Sequence, residues 1–536
     1  MDPVPISVET AASQKPPVRA FHDRVLRNVA SNWVGYLTNL LIGFLLAPVL
    51  VHNLGNVGYG VWALSLQIGA FISVLDFGIR IALMRYIAHH HAKQERDKLD
   101  QAFSAGLVML LPLGTLIALV GTVIGWFLPN LFPVPPGMLH EARWTVFFVG
   151  LSIAVTCPGS LFSGALAAIS RYDLTNARTS ITLIARALLI WFFLRQGYGL
   201  ISVAVIFFLS NLVGYFIDFL VAWRVYHGFH LVFRREVIRE TASVLLKFSG
   251  FAFLLSISTR LLFWSDNVVV GAILGPAAVT YYAIGGNLID NSRGILTTLT
   301  SILIPMATSM DARGERAALQ RLLVRATRSI FLVMYPLVVG FIVLGYPFIR
   351  LWMGAEYAPI SSRVLILLAV PLLFAPIQSV CGQVLYATNR HQFNSYIAIA
   401  HALVNLGISI YLAKRIGLLG VAWGTLLPAL VVSAIILPWY TLRTLNISLS
   451  GFYWSAVLRT VLFTVPYVVV LVALRIYVDP HSWAVFFACV LAGASSYAIL
   501  VWLLVIDDEE KFRIRNKLMS LARTFRWKSA ASSSHA

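Results

Sequence analysis

The sequence predicts an all-α polytopic membrane protein of about 14 transmembrane helices, arranged as two pseudo-symmetric six-helix lobes plus a C-terminal helix pair. Three observations carry this. Of 536 residues, 59% are hydrophobic and only 12% charged, with a mean hydropathy of +0.81, whereas a soluble domain carries about 25% charged residues. The apolar residues fall into runs of bilayer-crossing length. Short patterns in the first half of the chain return about 220 residues later. The composition excludes a soluble globular enzyme, a disordered chain and a disulfide-stapled secreted module.

A hydrocarbon core of about 30 Å needs roughly 20 apolar residues per helix. Runs that satisfy this lie at 30–51, 58–79, 102–128, 144–169, 176–195, 199–223, 248–274, 277–306, 328–350, 360–387, 393–413, 418–442, 454–477 and 481–506. The polar, basic segment 1–28 is followed by no small-residue cleavage site, so the first run reads as a retained helix and not a signal peptide. Thirty of the 41 Lys and Arg lie in one set of alternate connections. These are the N-terminal segment, 80–98, Arg171 and Arg178, 224–247, 313–328, Arg390, Arg443 and the C-terminal tail. Seven lie in the other set, which places both termini in the cytoplasm. The net charge of +19 and pI near 10.1 thus belong to cytoplasmic loops, not to nucleic-acid binding. The longest connection on the outer side, from about Pro129 to Arg143, is short, so no extramembrane domain is expected. Cys157, Cys381 and Cys489 are far apart in apolar stretches and read as core residues.

The internal repeat rests on three matches. Leu54-Gly55 corresponds to Leu274-Gly275 at an offset of 220, Ser170-Arg171 to Asn389-Arg390 at 219, and Gly199-Leu200 to Gly417-Leu418 at 218. Six runs separate the copies, an even number, so both copies have one orientation and a pseudo-twofold along the membrane normal is expected. The resulting division is a cytoplasmic segment 1–28, an N-lobe 29–235, a C-lobe 236–443, a helix pair 444–506 and a basic tail 507–536.

With Leu54-Gly55, Tyr59-Gly60 and Trp62, then Asp76-Phe77-Gly78 before Arg85, the Arg171 and Arg390 helix ends, Asp266-Asn267, Val270-Gly271, Leu274-Gly275-Pro276 and Tyr281-Tyr282-Ala283, the chain resembles the Wzx-like O-antigen and exopolysaccharide flippases. These belong to the multidrug/oligosaccharidyl-lipid/polysaccharide exporter superfamily, and the likeness spans residues 25 to 505. The resemblance implies a non-enzymatic translocase in the bacterial cytoplasmic membrane. It would carry a polyprenyl-diphosphate-linked oligosaccharide outward by alternating access, for O-antigen, capsule or exopolysaccharide synthesis. A polymerase and export proteins would be partners, and helices 13 and 14 would shape a groove for the lipid tail.

Charged groups at a helix centre each cost about 2.5–3.5 kcal/mol on insertion scales, so they need a partner or a wet cavity. Run 7 carries Arg260, Asp266 and Asn267; run 8 carries Asn287, Asp290, Asn291 and Arg293 at helical spacing; run 5 carries Arg186. Run 1 shows Asn28, Asn32 and Asn39 on one face, and run 11 shows His401 and Asn405. These stripes fit a water-filled chamber. Arg260, Arg293 and Arg186 are candidate ligands of a head-group phosphate, for which a guanidinium fork is suited. The alternative for Arg293 is a local pair with Asp290. Asp266 and Asp290 are the candidate carboxylates for H⁺ or Na⁺ coupling, and no other cofactor is expected. Asn39, Asn267, Asn287, Asn291, His401 and Asn405 would line the chamber. Asp76 and Arg80 read as an i,i+4 pair, Asp218 as facing polar neighbours, and His89–His91 as a solvated run, not a metal site.

Two other functions compete. No G-x-x-x-x-G-K-[ST] run supports ATP hydrolysis. A membrane glycosyltransferase or polymerase needs catalytic residues on a sizeable outer loop, and the outer side has only Glu141, Glu356 and Asp479 as acids. A cation-coupled multidrug exporter of the same superfamily typically carries an acid in the first-lobe cavity, and run 1 has none.

Overall fold

The computed structural model describes residues 18–232 and 234–506, together with 508, 511, 512, 515 and 516. Side chains of residues 18–26, 29, 237, 244–256, 258, 259, 263 and 391 fall outside that set. Residues 1–17 of the N-terminal segment and most of the basic tail 507–536 therefore lie outside the described residues.

Among the described residues the chain is helical, without strands. The elements that matter for the site are α1 (Val18–Ile72), α2 (Ile79–Ala92), α3 (Arg96–Trp126), α4 (Leu139–Ala168), α5 (Tyr172–Arg195) and α6 (Leu200–Val225). They continue with α7 (Arg235–Leu274), α8 (Pro276–Thr300), α9 (Leu303–Ala312), α10 (Arg316–Trp352), α11 (Ala358–Leu372), α12 (Ala375–Ala387) and α13 (His391–Ile416). The last three are α14 (Leu418–Thr444), α15 (Leu449–Val478) and α16 (Trp483–Val505), each carrying π-helical turns.

Among the described residues, eleven helices are long and apolar enough to cross a bilayer, or twelve if α11 and α12, bent by 41°, form one span. This is fewer than the fourteen runs of the sequence for two reasons. Runs 1 and 2 continue into one another as α1, interrupted only at Gly55 (φ 68, ψ 177). Run 7 falls in part on residues of α7 whose side chains are outside the described set, leaving Trp264–Leu274 as a short apolar helix.

The repeat is written in the backbone. Gly55 and Gly275 share one conformation, φ 68 and ψ 177 against φ 87 and ψ 169, a region open essentially to glycine alone. Left-handed residues recur at the same spacing: Gln94 and Gly314, Ser170 and Asn389, His227 and Asn446. The turns close alike. Arg171 N–H reaches Leu166 O at 3.0 Å as Arg390 N–H reaches Leu385 O at 2.8 Å, and Glu95 N–H reaches His90 O as Glu315 N–H reaches Met310 O, both at 3.0 Å. Helix ends at these positions of the second half thus repeat those of the first, including the turn at His227 and Asn446, where the flanking side chains differ.

The described residues form two compact units. One holds the chain up to Val49, then Ile72–Ile124 and Trp144–Phe253; the other holds Leu50–Phe71, Gly125–Arg143 and Leu254 onward. In the first, Asp218 is 1% exposed and grips Arg178 of α5 through both carboxylate oxygens. Arg96 of α3 donates to the carbonyls of Tyr226 and Gly228, and Asp100 Oδ1 accepts the His230 N–H at 3.1 Å, fixing the chain that leaves α6. In the second, residues 55–60 pack on residues 275–281. Thr280 Oγ1 donates to Asn56 O at 2.6 Å, and a Cβ on Gly60 would stand 1.8 Å from Pro276 O. Adding 220 to Asn56 gives Pro276, and subtracting it from Thr280 gives Gly60. The two contacts thus join positions related by the same offset of 220. Tyr281 accepts a hydrogen bond from the Asn56 amide at 3.3 Å and Tyr357 donates to Asn56 Oδ1 at 2.6 Å.

The C-terminal pair docks on prolines. A helix proline leaves the carbonyl four residues earlier without its N–H. Pro336 and Pro347 in α10 free Leu332 O and Val343 O; Tyr497 of α16 donates to the first at 2.9 Å and Arg475 of α15 to the second at 2.5 Å. Pro438 in α14 likewise frees Ala434 O, which accepts from Tyr453 of α15.

Candidate functional site

Helix α8 sorts its residues by polarity. Ile289, Ser292, Leu296 and Thr300 are buried, while Asn287, Asp290, Asn291, Thr297, Thr298 and Ser301 are exposed and Arg293 is half-buried among them. The hydroxyls of Thr297, Thr298 and Ser301 bond carbonyls of their own turns, whereas the amides and the ion pair on this face would be costly against acyl chains. On that face Arg293 Nη1 bonds Asp290 Oδ1 at 2.9 Å, with 29% and 51% of the two side chains exposed, so the local pair read from the sequence forms and remains accessible. Asn287 donates to the Tyr59 hydroxyl at 3.4 Å.

On α7, Arg260 donates to Ala70 O at 2.6 Å and its guanidinium lies 5.0 Å from the centre of the Trp264 ring. Asn267, seven residues on, is half-buried, and its Oδ1 meets no hydrogen-bond partner among the described residues.

Asp266 turns to the opposite side of α7 and is 8% exposed. Its Oδ2 accepts from the Tyr282 hydroxyl at 2.7 Å and from Thr425 Oγ1 at 2.8 Å, and Asn405 Nδ2 donates to Thr425 Oγ1 at 3.1 Å. Asp266 Oδ1, Asn405 Oδ1 and both ring nitrogens of His401 are buried without partners among the described residues. Asn405, one turn from His401 on α13, is linked through Thr425 to a carboxylate that two hydroxyls have only half satisfied. A buried carboxylate in this state needs a proton or a cation. Among the described residues no three His, Cys, Asp or Glu gather as a metal site, so a cation here would rest on one carboxylate and neutral oxygens. Thr425 carried no signal in the sequence, since a hydroxyl in an apolar run is ordinary, and Tyr282 entered only within the Tyr281-Tyr282-Ala283 pattern.

Arg186 sits elsewhere. Its guanidinium donates to Ser210 Oγ at 2.6 Å and Asn211 Oδ1 at 2.5 Å on α6 and covers the Phe207 ring at 4.5 Å. It links two helices of the first unit and would have to release both partners to hold a phosphate. The Asn stripe of α1 is partly structural too. Asn28 donates to Ser170 O at 2.9 Å and Asn32 accepts from Asn176 at 2.6 Å, whereas Asn39 is exposed.

The expected Asp76–Arg80 pair does not form. The helix breaks at Phe77 (φ 50) and Gly78 (φ 73), so the two residues are not one helical turn apart, and Asp76 Oδ1 instead accepts the Gly78 N–H at 2.9 Å. The histidine run closes α2 by packing. His90 stacks on Tyr86 at 4.2 Å and bonds Glu95, holding that carboxylate below its ordinary range, and His91 meets Tyr226 edge-on at 5.7 Å.

Comparison with known proteins places this geometry. The family described as polysaccharide biosynthesis protein matches residues 25–311, more than half of the chain. The chain belongs to the polysaccharide biosynthesis protein family. This polysaccharide biosynthesis protein is 21% identical over 503 residues to the membrane protein EpsK of Bacillus subtilis, covering 90% of this chain and 96% of EpsK. It is 21% identical over 435 residues to a Shigella flexneri protein named as an O-antigen transporter, covering 79% of this chain and 99% of that one. Among solved structures it is similar to the lipid II flippase MurJ in an inward closed conformation, with a TM-score of 0.67, 16% identity, and 88% and 97% of the two chains covered. An inward-facing multidrug resistance MATE family transporter of the MOP superfamily gives a TM-score of 0.60 at 16% identity, covering 79% and 98%. At 16% identity these two likenesses show a shared fold.

Proposed function

We propose that this protein is a flippase that moves a polyprenyl-diphosphate-linked oligosaccharide across the cytoplasmic membrane by alternating access, in the synthesis of a cell-surface polysaccharide. Fourteen crossings, with both termini cytoplasmic, form two six-helix repeats and a C-terminal pair. The observation that carries the reading is the exposed polar face of α8, where Arg293 and Asp290 form a half-exposed ion pair. An anionic head group entering that water-filled space meets a guanidinium whose existing partner is weakly held, since solvent-exposed ion pairs contribute only about 0–1 kcal/mol. Arg260 adds a second cation, while Arg186 is already bonded to Ser210 and Asn211 and is left out of the proposed site. The names of the O-antigen transporter and lipid II flippase relatives support a lipid-linked glycan as cargo.

Asp266 is the coupling carboxylate of this scheme. Protonation or Na⁺ binding there changes the field at Arg293, and hence its hold on the diphosphate. Replacing Arg260 or Arg293 with Ala should abolish glycan export, and normal export in both variants would refute the assignment. The competing reading, a multidrug exporter, draws only on fold likeness. It would be favoured by drug sensitivity on deletion with surface glycans intact.

A further inference from the structure

We infer that Trp264 is the platform on which the sugar bonded to the diphosphate stacks; this rests on the flippase reading above. The argument starts with the face of α7 on which Trp264 lies. Arg260, Trp264, Asn267 and Gly271 follow one another at intervals of four, three and four residues, which places them on one stripe of a helix. That stripe is pinned to residues 50–71 at both ends. Arg260 Nη1 bonds Ala70 O at 2.6 Å, and at Gly271 the approach is so close that a Cβ would stand 2.9 Å from Leu64 Cδ1. The stripe therefore faces protein, not lipid.

Between those two contacts, Trp264 keeps 38% of its surface exposed. Along the facing helix, Gln67 lies three residues from both Leu64 and Ala70, and its Oε1 is buried without a partner among the described residues, as is Asn267 Oδ1 on the α7 side. Two amide oxygens short of donors and one indole with open surface thus occupy neighbouring turns. Apolar cargo satisfies neither oxygen. A sugar suits all three groups: its C–H face lies on an aromatic ring, and its hydroxyls donate to carbonyl oxygens.

Spacing fits the same cargo. The guanidinium of Arg260 is 5.0 Å from the Trp264 ring centre, about the breadth of one sugar ring. A guanidinium that holds a phosphate and an indole that holds a ring are therefore separated as a diphosphate and its directly bonded sugar are.

The test measures binding of two probes to the purified full chain: undecaprenyl diphosphate alone and undecaprenyl diphosphate carrying one hexose. The wild-type protein should bind the hexose-bearing probe more tightly. Trp264→Ala should weaken that probe about tenfold, in line with the worth of an aromatic contact, and leave the bare diphosphate unchanged; Trp264→Phe should recover most of the loss. Equal affinity of the wild-type protein for the two probes overturns the inference, and so does equal weakening of both by Trp264→Ala. Binding of neither probe overturns the flippase reading itself. Loss of the bare diphosphate on Arg260→Ala or Arg293→Ala, whatever Trp264 does, upholds that reading separately.

Discussion

The Tyr497 hydroxyl donates to the Leu332 carbonyl at 2.9 Å, and Leu332 is the residue whose ordinary donor was removed by Pro336. Arg475 does the same for Val343, freed by Pro347. In a bilayer no water can reach such a carbonyl. The C-terminal pair is thus part of the frame of α10, because it supplies the donors that α10 lacks at both of its breaks.

A double-mutant cycle checks this. Tyr497→Phe should lower the unfolding free energy by about 1–3 kcal/mol, the cost of an orphaned acceptor. Pro336→Ala returns an N–H to Leu332 O, so Tyr497→Phe should cost much less in that background. Equal costs in both backgrounds, read from thermal unfolding in detergent, would show that the hydroxyl serves another purpose.

Gly60 should tolerate no side chain. Its Cβ would stand 1.8 Å from Pro276 O, a backbone atom that cannot swing aside. Gly60→Ala should part residues 55–60 from 275–281, raise the labelling of a Thr280→Cys variant by a polar maleimide and abolish transport. Asn56→Ala, which removes only the side-chain bonds to Tyr281 and Tyr357, should weaken transport without abolishing it. Unchanged labelling in Gly60→Ala would contradict the packing.

Asp218 and Arg178 form a buried pair in the first unit, with side chains 2% and 16% exposed. Removing one partner of such a pair costs about 3–5 kcal/mol, while replacing both with apolar residues costs far less. Asp218→Leu alone should accumulate poorly in membranes, and Asp218→Leu with Arg178→Leu should recover much of the folded protein. Failure of the double variant to exceed the single one would count against a simple pair.

Asp266→Asn should uncouple transport from an imposed H⁺ or Na⁺ gradient in vesicles, since the amide neither takes up a proton nor supplies a charge. Comparing the two gradients on the wild-type protein identifies the ion. Full gradient dependence in Asp266→Asn would remove the carboxylate from the scheme.

Much of this was legible in the sequence. Burial of hydrophobic runs and the Lys/Arg asymmetry gave the membrane class, and the Gly55–Gly275 match marked a repeat that the backbone carries through four pairs of turns. The α8 stripe was legible because helical periodicity separates Asn287, Asp290 and Asn291 from Ile289 and Ser292. What escaped were contacts between distant segments. No spacing could show that Arg186 would meet Ser210 and Asn211, or that Thr425 would reach Asp266 from 159 residues away. The Asp76–Arg80 expectation failed for a local reason. It assumed a continuous helix across Phe77-Gly78, where glycine allowed a break.

The water-facing stripe of α8 is the centre of the account, and a cysteine scan along it is its most direct measurement. With Cys157, Cys381 and Cys489 all buried, single cysteines at positions 287, 290, 291, 294, 297 and 298 should react with a polar maleimide, while those at 289, 292, 296 and 300 should not. Uniform labelling, or silence at the first set, would mean that the stripe meets no water and that the head-group site proposed around Arg293 does not exist.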